Sequence, residues 1–363
     1  MNLAIFGAQG YALGAYEALH SLFLQRKITC FIVSERNNNA FTLRGIPVHE
    51  IESYSASLTE NEKTNLEVLI ATPENIQSEI ELILDSYGFT HHQKLDSDRW
   101  AELMKLHYVK QGDFLPLSAL PVGVHKTPIQ IFIACSDKDK LLLQPSILPD
   151  YYSTIHVGPD NTSKLKADYY DNTGDNISSK NLNYSELSGL YWIWKNILQK
   201  PEDSSVHNKQ YFGLGHYRRT LIFSEDDIYR LQDNDVDVVL PYPMPYEPDI
   251  NAHHNRYLKK VDWDALMIAL KELQPEYADC ITDILSQKYM YNYNNILAEK
   301  TVLCEYCEWL FPILERTEQL SVPKGFDRSD RYIGYIAESL ETLYFLKNSA
   351  RLNIVHTECK LFT

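Results

Sequence analysis

The sequence predicts an α/β protein of two domains. Three observations carry that prediction. The chain opens with a strand, a glycine turn and a helix in immediate succession. Its 363 residues are long for a single domain. Past a proline-rich stretch, a second series of apolar strands and amphipathic helices begins afresh.

The opening strand is the short apolar run Leu3–Phe6, the pattern of a buried parallel strand. Gly7, Gly10 and Gly14 follow at G-x-x-G-x-x-x-G spacing. A second strand, ITCFIVSER, ends at Glu35, about 20 residues beyond the turn, where an acidic side chain can meet a ribose hydroxyl. The strand LEVLIATPEN and the helix SEIELILDSYGF complete a β-α-β-α-β unit, so a Rossmann-like doubly wound fold is expected. Two readings of the glycine turn stand side by side. Either Gly7, Gly10 and Glu35 bind a nucleotide cofactor, or the glycines only permit a tight turn and close helix–sheet packing.

HYVKQGDFLPLSALPVGVHKTP carries Pro116, Pro121 and Pro128 together with Gly112 and Gly123. That density interrupts regular structure. The expected domains are therefore 1–122, including the linker, and 123–363. Beyond the cut, IQIFIACSDKD opens the second α/β series. Strands are expected at 154–158, 211–217, 236–241 and 289–299, with a last strand in LNIVHT. Helices are expected at 184–198, 262–287, 300–318 and 331–347. Open sheets of this kind bind ligands beyond the carboxyl ends of their strands, here Cys135–Asp139, His216–Arg219 and Pro241–Pro245.

Two stretches of this second domain concentrate polar chemistry. DNTGDNIS holds Asp171, Asp175 and Asn176 in a turn ahead of an aromatic helix. Such a turn is either a solvated Asx-turn or a site for sugar hydroxyls. Asn183 and Glu186 have capping-box spacing, which reads Glu186 as a helix cap. GLGHYRR ends an apolar strand in His216, Arg218 and Arg219, and arginine presents a rigid fork matched to phosphate oxygens. Strand alternation would put His216 and Arg218 on one face and Arg219 on the other.

Composition sets outer bounds. A formal charge of −15 argues against a nucleic-acid binder, which needs a cationic face. No basic and apolar leader pattern and no 18-residue apolar run are visible, so a cytoplasmic setting is expected. The six cysteines lack metal-finger spacing and read as reduced thiols. The 25 tyrosines offer flat faces with a hydroxyl, which suit sugar rings as well as cores.

DNTGDNIS, NYSELSGLYWIWKN, GLGHYRR, YNYNNILAEKTVLCEYCEWLFPIL and RYIGYIAESL together resemble, in the same order, the DUF4422 family of bacterial capsular and exopolysaccharide glycosyltransferases. The similarity runs from about Ile129 to the C-terminal end. Residues before it resemble the Rossmann-like N-terminal domains of bacterial sugar acyltransferases and other polysaccharide-assembly proteins. The family resemblance implies a GT-A-like nucleotide-diphosphosugar fold. It also implies transfer of a hexose, galactofuranose or galactose among them, from a UDP-sugar to a saccharide or lipid-linked acceptor, with peripheral contact at the inner membrane face.

Under that resemblance, Arg218, Arg219 and His216 would stabilise the leaving diphosphate. Ser136, Asp137, Asp171, Asp175 and Asn176 would meet donor hydroxyls and ribose. Glu338 would be the base, with Arg331 pairing either with the diphosphate or with Glu338. GT-A enzymes commonly hold a divalent ion, Mn²⁺ or Mg²⁺, on a D-x-D. HYRR stands where that motif is expected, and Asp137-Lys-Asp139 matches only its spacing. A non-catalytic sugar-nucleotide binder and an NAD-dependent sugar-modifying enzyme are the rival readings.

Overall fold

The computed structural model describes residues 2–37, 39–140, 142, 148–159, 165–200, 209–324 and 327–361. The chain forms two compact units. The first runs up to Phe114 and includes Met244–Pro248; the second comprises Leu115–Pro243 and the chain from Asp249 onward. Residue 122, the expected cut, falls inside the second unit.

In the first unit the strands are β1 (Asn2–Phe6), β2 (Lys27–Val33), β3 (Thr42–Leu43), β4 (Ile46–Glu50), β5 (Glu67–Ile70) and β6 (His92–Lys94). They lie in the order β3-β4-β2-β1-β5-β6, all parallel except the β3–β4 hairpin. Alternation along β1 sends Leu3 and Ile5 into one core and Ala4 and Phe6 into another. Both faces of the sheet are therefore covered, as a doubly wound sheet requires. Gly7 ends β1 with φ +121°, and a Cβ there would stand 2.8 Å from the Ala71 carbonyl oxygen. Its amide donates to the Ile32 carbonyl at 2.8 Å. Crowding of three backbones therefore accounts for this glycine.

The second unit carries β7 (Ile129–Cys135), β8 (Tyr152–His156), β9 (Tyr169–Tyr170), β10 (Tyr211–His216), β11 (Arg219–Leu221) and β12 (Val238–Pro241). After β13 (Met244–Pro245), which belongs to the first unit, come β14 (Tyr289–Met290), β15 (Ile296–Glu299), β16 (Ile354–Thr357) and β17 (Cys359–Leu361). The main sheet has the order β16-β12-β15-β10-β7-β8-β9, with β11 pairing β10 and β17. β15 runs antiparallel to both its neighbours, whereas the other pairs on the path are parallel. The leading end of β15 thus lies at the edge where the remaining strands finish. Ile131, Ile133, Tyr211, Val239, Leu297 and Val355 fill one face of this sheet. The mixed, mostly parallel sheet matches the GT-A-like expectation.

Two expected elements differ in form. The helix expected at 184–198 is an α-helix only over Leu187–Ile193 and then widens into a π-turn at Trp194–Leu198. The strand expected at 289–299 is broken between β14 and β15, because Tyr293 and Asn294 take φ of +72° and +48°, outside the extended region. The long helices Lys300–Leu320 and Tyr332–Lys347 form where the apolar period places them. Among the described residues no helix is long and apolar enough to cross a membrane. Tyr344, in a stretch that could also read as membrane-facing, is buried and rings with Trp309 at 4.9 Å.

Candidate functional site

His216 ends β10 and Arg219 begins β11, and the two are direct antiparallel partners. Only Tyr217 and Arg218 lie between them, so the segment is a two-residue hairpin. This corrects the expected alternation. His216 and Arg219, not His216 and Arg218, are paired across the hairpin, because the chain reverses within the motif. Arg218 sits at the turn, its guanidinium carbon 5.2 Å from the Tyr217 ring centre.

Tyr293, just ahead of β15, meets this hairpin through two groups and Glu338 through a third. Its carbonyl accepts a hydrogen bond from His216 Nε2, which places a proton on that nitrogen, since a carbonyl can only accept. Its amide donates to Glu338 Oε1 at 3.2 Å. Its ring lies under Arg219, with the guanidinium carbon 3.9 Å from the ring centre. The left-handed backbone at 293 and 294 turns these peptide groups toward the site, a local strain of the kind that accumulates at functional positions.

Glu186 stands at the N-cap position of the helix Leu187–Ile193, but its side chain makes no capping hydrogen bond. Its Oε1 accepts from Asn294 Nδ2 at 2.6 Å and lies 3.8 Å from His216 Nε2. Its Oε2 lies 3.5 Å from Arg331 Nη2. The supposed cap partner, Asn183, instead donates to the carbonyls of Arg328 and Asp330 at 3.1 and 2.9 Å. Arg331 also donates from Nε to Ser185 Oγ at 2.7 Å, and its side chain is mostly exposed. It therefore pairs with Glu186.

Glu338 is partly exposed, one turn from fully buried Glu341 on the same helix. Burial and then the charge of Glu186 push the Glu338 carboxyl up to about 8, against the Tyr293 amide, Arg331 and Arg219, which favour its ionised form. Glu341 is pushed well above the carboxylate range by burial, then by Glu338 and Glu186. Neither of its oxygens has a hydrogen-bond partner among the described residues. Glu186 thus links His216 to Asn294 and Arg331, and Tyr293 links His216 to Glu338 and Arg219.

The loop after β7 forms a neighbouring group. Asp139 accepts from the Ser136 amide at 2.6 Å and from Ser136 Oγ at 3.0 Å. Burial raises its carboxyl, while the Ser136 hydrogen bonds and then Arg218 and His216 work against that rise. Asp137 Oδ2 is 3.5 Å from Nε2 of buried His156. Asp171, fully buried after β9, accepts from the Gly158 amide at 2.9 Å and is raised to about 6, chiefly by burial. With Asp139 turned back onto Ser136, this pair does not fit the D-x-D role. Among the described residues no group of three His, Cys, Asp or Glu side chains is placed to hold a metal ion.

Asp175 and Asn176 stand apart from Asp171. The Asp175 peptide is clamped by Asn196, which accepts from its amide at 3.2 Å and donates to its carbonyl at 2.8 Å. Tyr191 donates to its carboxylate at 3.2 Å. Asn176 is an Asx-turn, accepting from the Ser178 amide at 3.3 Å. Of the DNTGDN motif, only Asp171 is drawn under the strand ends. Asp249 caps its own helix through the Ala252 amide at 2.8 Å. Half-buried His253 is pushed down to about 4 by burial and then by Arg256.

In the first unit, Gly10 begins the helix Gly10–Leu22, and a Cβ there would meet Met244 Cε at 2.9 Å. Close packing against the returning segment accounts for this glycine. Glu35 is exposed just past the end of β2.

A family model described as a domain of unknown function, DUF4422, matches residues 131–349. The chain belongs to the DUF4422 family. The matched region contains every residue of the cluster, including Glu186 and Tyr293. The apo structure of WbbM, described as a bifunctional glycosyltransferase, is similar with a TM-score of 0.50 and 25% sequence identity, over 65% of this chain and 45% of that chain. This DUF4422 protein therefore spans less than half of the WbbM chain it matches. The comparison with curated proteins gives no match.

Proposed function

We propose that the DUF4422 unit is a glycosyltransferase that moves a hexose from a UDP-sugar to a hydroxyl of a growing saccharide. The observation that carries this reading is the Glu338 carboxyl. It is partly open to solvent at the carboxyl edge of the sheet, held by a backbone amide, with arginines on either side. Family membership and the likeness to WbbM support the same class of reaction.

The acceptor oxygen attacks the anomeric carbon as the bond from that carbon to the diphosphate oxygen breaks. The bonding pair leaves with the diphosphate, and the acceptor proton passes to Glu338. A carboxylate raised toward neutral pH is a stronger base than an ordinary one and suits that task. Arg219 and Arg218 supply positive charge where negative charge accumulates, a preorganised stabilisation. His216, fixed as a donor at Nε2, is held by Tyr293. We assign the donor hydroxyls and ribose to Ser136, Asp137 and Asp171, which follow β7 and β9 in a sheet of the kind that binds ligands beyond its strand ends. With one base and one displacement, the anomeric centre inverts. Galactofuranose or galactose as the transferred sugar rests on the family resemblance alone, as does an acceptor on a capsular, exopolysaccharide or lipid-linked chain. A lipid-linked acceptor would bring the protein to the inner membrane face.

The test is release of UDP from a panel of UDP-sugars, with and without EDTA, by the full chain and by Glu338→Gln. General-base loss typically lowers turnover by about 10²- to 10⁴-fold, with the UDP-induced thermal shift retained. Full-rate turnover in Glu338→Gln removes the residue as base. UDP binding without turnover of any donor would make the unit a sugar-nucleotide binder instead.

A further inference from the structure

Arg331, Tyr335 and Glu338 recur at i, i+4 and i+7 along the start of the helix Tyr332–Lys347, so they share one helix face. Tyr335 therefore continues the line of groups described above. Burial raises its phenol, with Arg331 working against the rise and Glu338, Tyr257 and Glu186 adding to it. Against its ring lies Tyr257, the last residue of the helix Ile250–Tyr257, with ring centres 5.3 Å apart and planes 33° from parallel. Tyr257 is braced from behind by His253 at 4.9 Å, yet remains 50% exposed.

A single exposed aromatic needs no explanation. This one is held by two ring contacts, and Tyr335, against which it rests, shares a helix face with Glu338, the group to which an acceptor must present its hydroxyl. An aromatic ring gives a flat apolar face with a polar tip, suited to the C–H face of a sugar with its hydroxyls at the rim. We propose that Tyr257 and Tyr335 form the subsite that seats the acceptor's terminal sugar ring, so that its reacting hydroxyl is directed at Glu338. The inference rests on the glycosyltransferase reading and deepens it. It assigns carbohydrate, rather than a lipid tail or a protein, as what touches this surface first.

The experiment uses the full chain and saturation-transfer difference NMR with free galactose, glucose, rhamnose, N-acetylglucosamine and lactose. At least one should show saturation of its ring protons. That signal should fall about three- to tenfold in Tyr257→Ala, the scale of one aromatic contact, and persist in Tyr257→Phe, which keeps the ring. The UDP thermal shift should be the same in all three proteins, which also shows that Tyr257→Ala is folded. Equal sugar signals in wild type and Tyr257→Ala, or no signal with any of the sugars, would overturn the subsite. Loss of the UDP shift in the wild-type chain would instead strike the donor reading.

Discussion

Asn294 Nδ2 donates a 2.6 Å hydrogen bond to Glu186 Oε1 across 108 residues of sequence, and both side chains are buried. The bond ties the start of the aromatic helix to the leading end of β15. Asn294→Ala leaves a buried carboxylate oxygen short of a donor, a loss of about 1–3 kcal/mol. Alanine also tolerates the left-handed backbone less well than asparagine. Denaturant unfolding should show that loss, and UDP-release activity should fall with it, because the same loop carries Tyr293.

Glu338 makes stability depend on pH in a definite direction. Its carboxyl is raised to about 8 in the folded protein by burial, then by Glu186, so between roughly pH 4.3, the unfolded value, and pH 8 the native state holds a proton the unfolded state has lost. The contribution of this group to stability therefore declines as pH rises through that window and levels off above pH 8. Glu338→Gln should flatten this part of the stability profile and make the variant relatively more stable at pH 8. Wild-type kcat/KM should rise through about pH 8, and an identical pH–rate profile in the variant would contradict the assignment.

The two arginines of the hairpin should separate in their effects. Arg219 is seated on the Tyr293 ring, while Arg218 is at the turn. Arg219→Ala should weaken UDP binding and also shift the pH–rate profile, because Arg219 favours the ionised form of Glu338. Arg218→Ala should weaken UDP binding with the profile unmoved. Isothermal titration with UDP and a pH–rate series on both variants decide it. Unchanged UDP affinity in folded Arg218→Ala removes that residue from the donor site.

Arg328 and Asp262 form a nearly enclosed bidentate pair at 2.6 and 3.0 Å, with 6% and 1% of the two side chains exposed. Asp330 also pairs with that guanidinium, so Asp262→Ala leaves Arg328 partly paired and should cost about 1–3 kcal/mol, the loss of buried hydrogen bonds to a charged group. A variant with wild-type unfolding free energy would show that Asp330 alone satisfies the guanidinium.

Gly7 and Gly45 both have positive φ, but only Gly7 is crowded. Gly7→Ala should destabilise the first unit by more than the ~1–2 kcal/mol of backbone strain alone, because its Cβ would press on the Ala71 carbonyl. Gly45→Ala, with open space around it, should cost only the strain. Thermal unfolding of the two variants side by side tests the distinction.

Much of the architecture was legible because it follows from local pattern. The apolar run of β1, the glycine turn, the restart at β7 and the long helices are each written within about twenty residues of sequence. Glu186 was misread for a physical reason: its spacing from Asn183 imitates a capping box, and its true partner lies in another element. The hairpin at Tyr217–Arg218 has neither glycine nor asparagine at its turn, so the usual signal was absent. Tyr293 was hidden in an aromatic run whose composition favours a strand, although its backbone is left-handed. The histidine and arginines were conspicuous in sequence because they place charge at the end of an apolar strand. The residues that orient them were not, because their contribution comes through peptide groups and long-range contacts.

That use of peptide groups has a consequence for tolerance to substitution at position 293. The carbonyl that accepts the His216 hydrogen bond and the amide that faces Glu338 belong to the main chain, so an exchange of side chain leaves both in place. What changes is only the seat beneath Arg219, and with it the grip on a departing anion. Variation at this position would retune the reaction without dismantling it. Proline is the exception, having no amide proton to offer and a ring that cannot adopt this backbone.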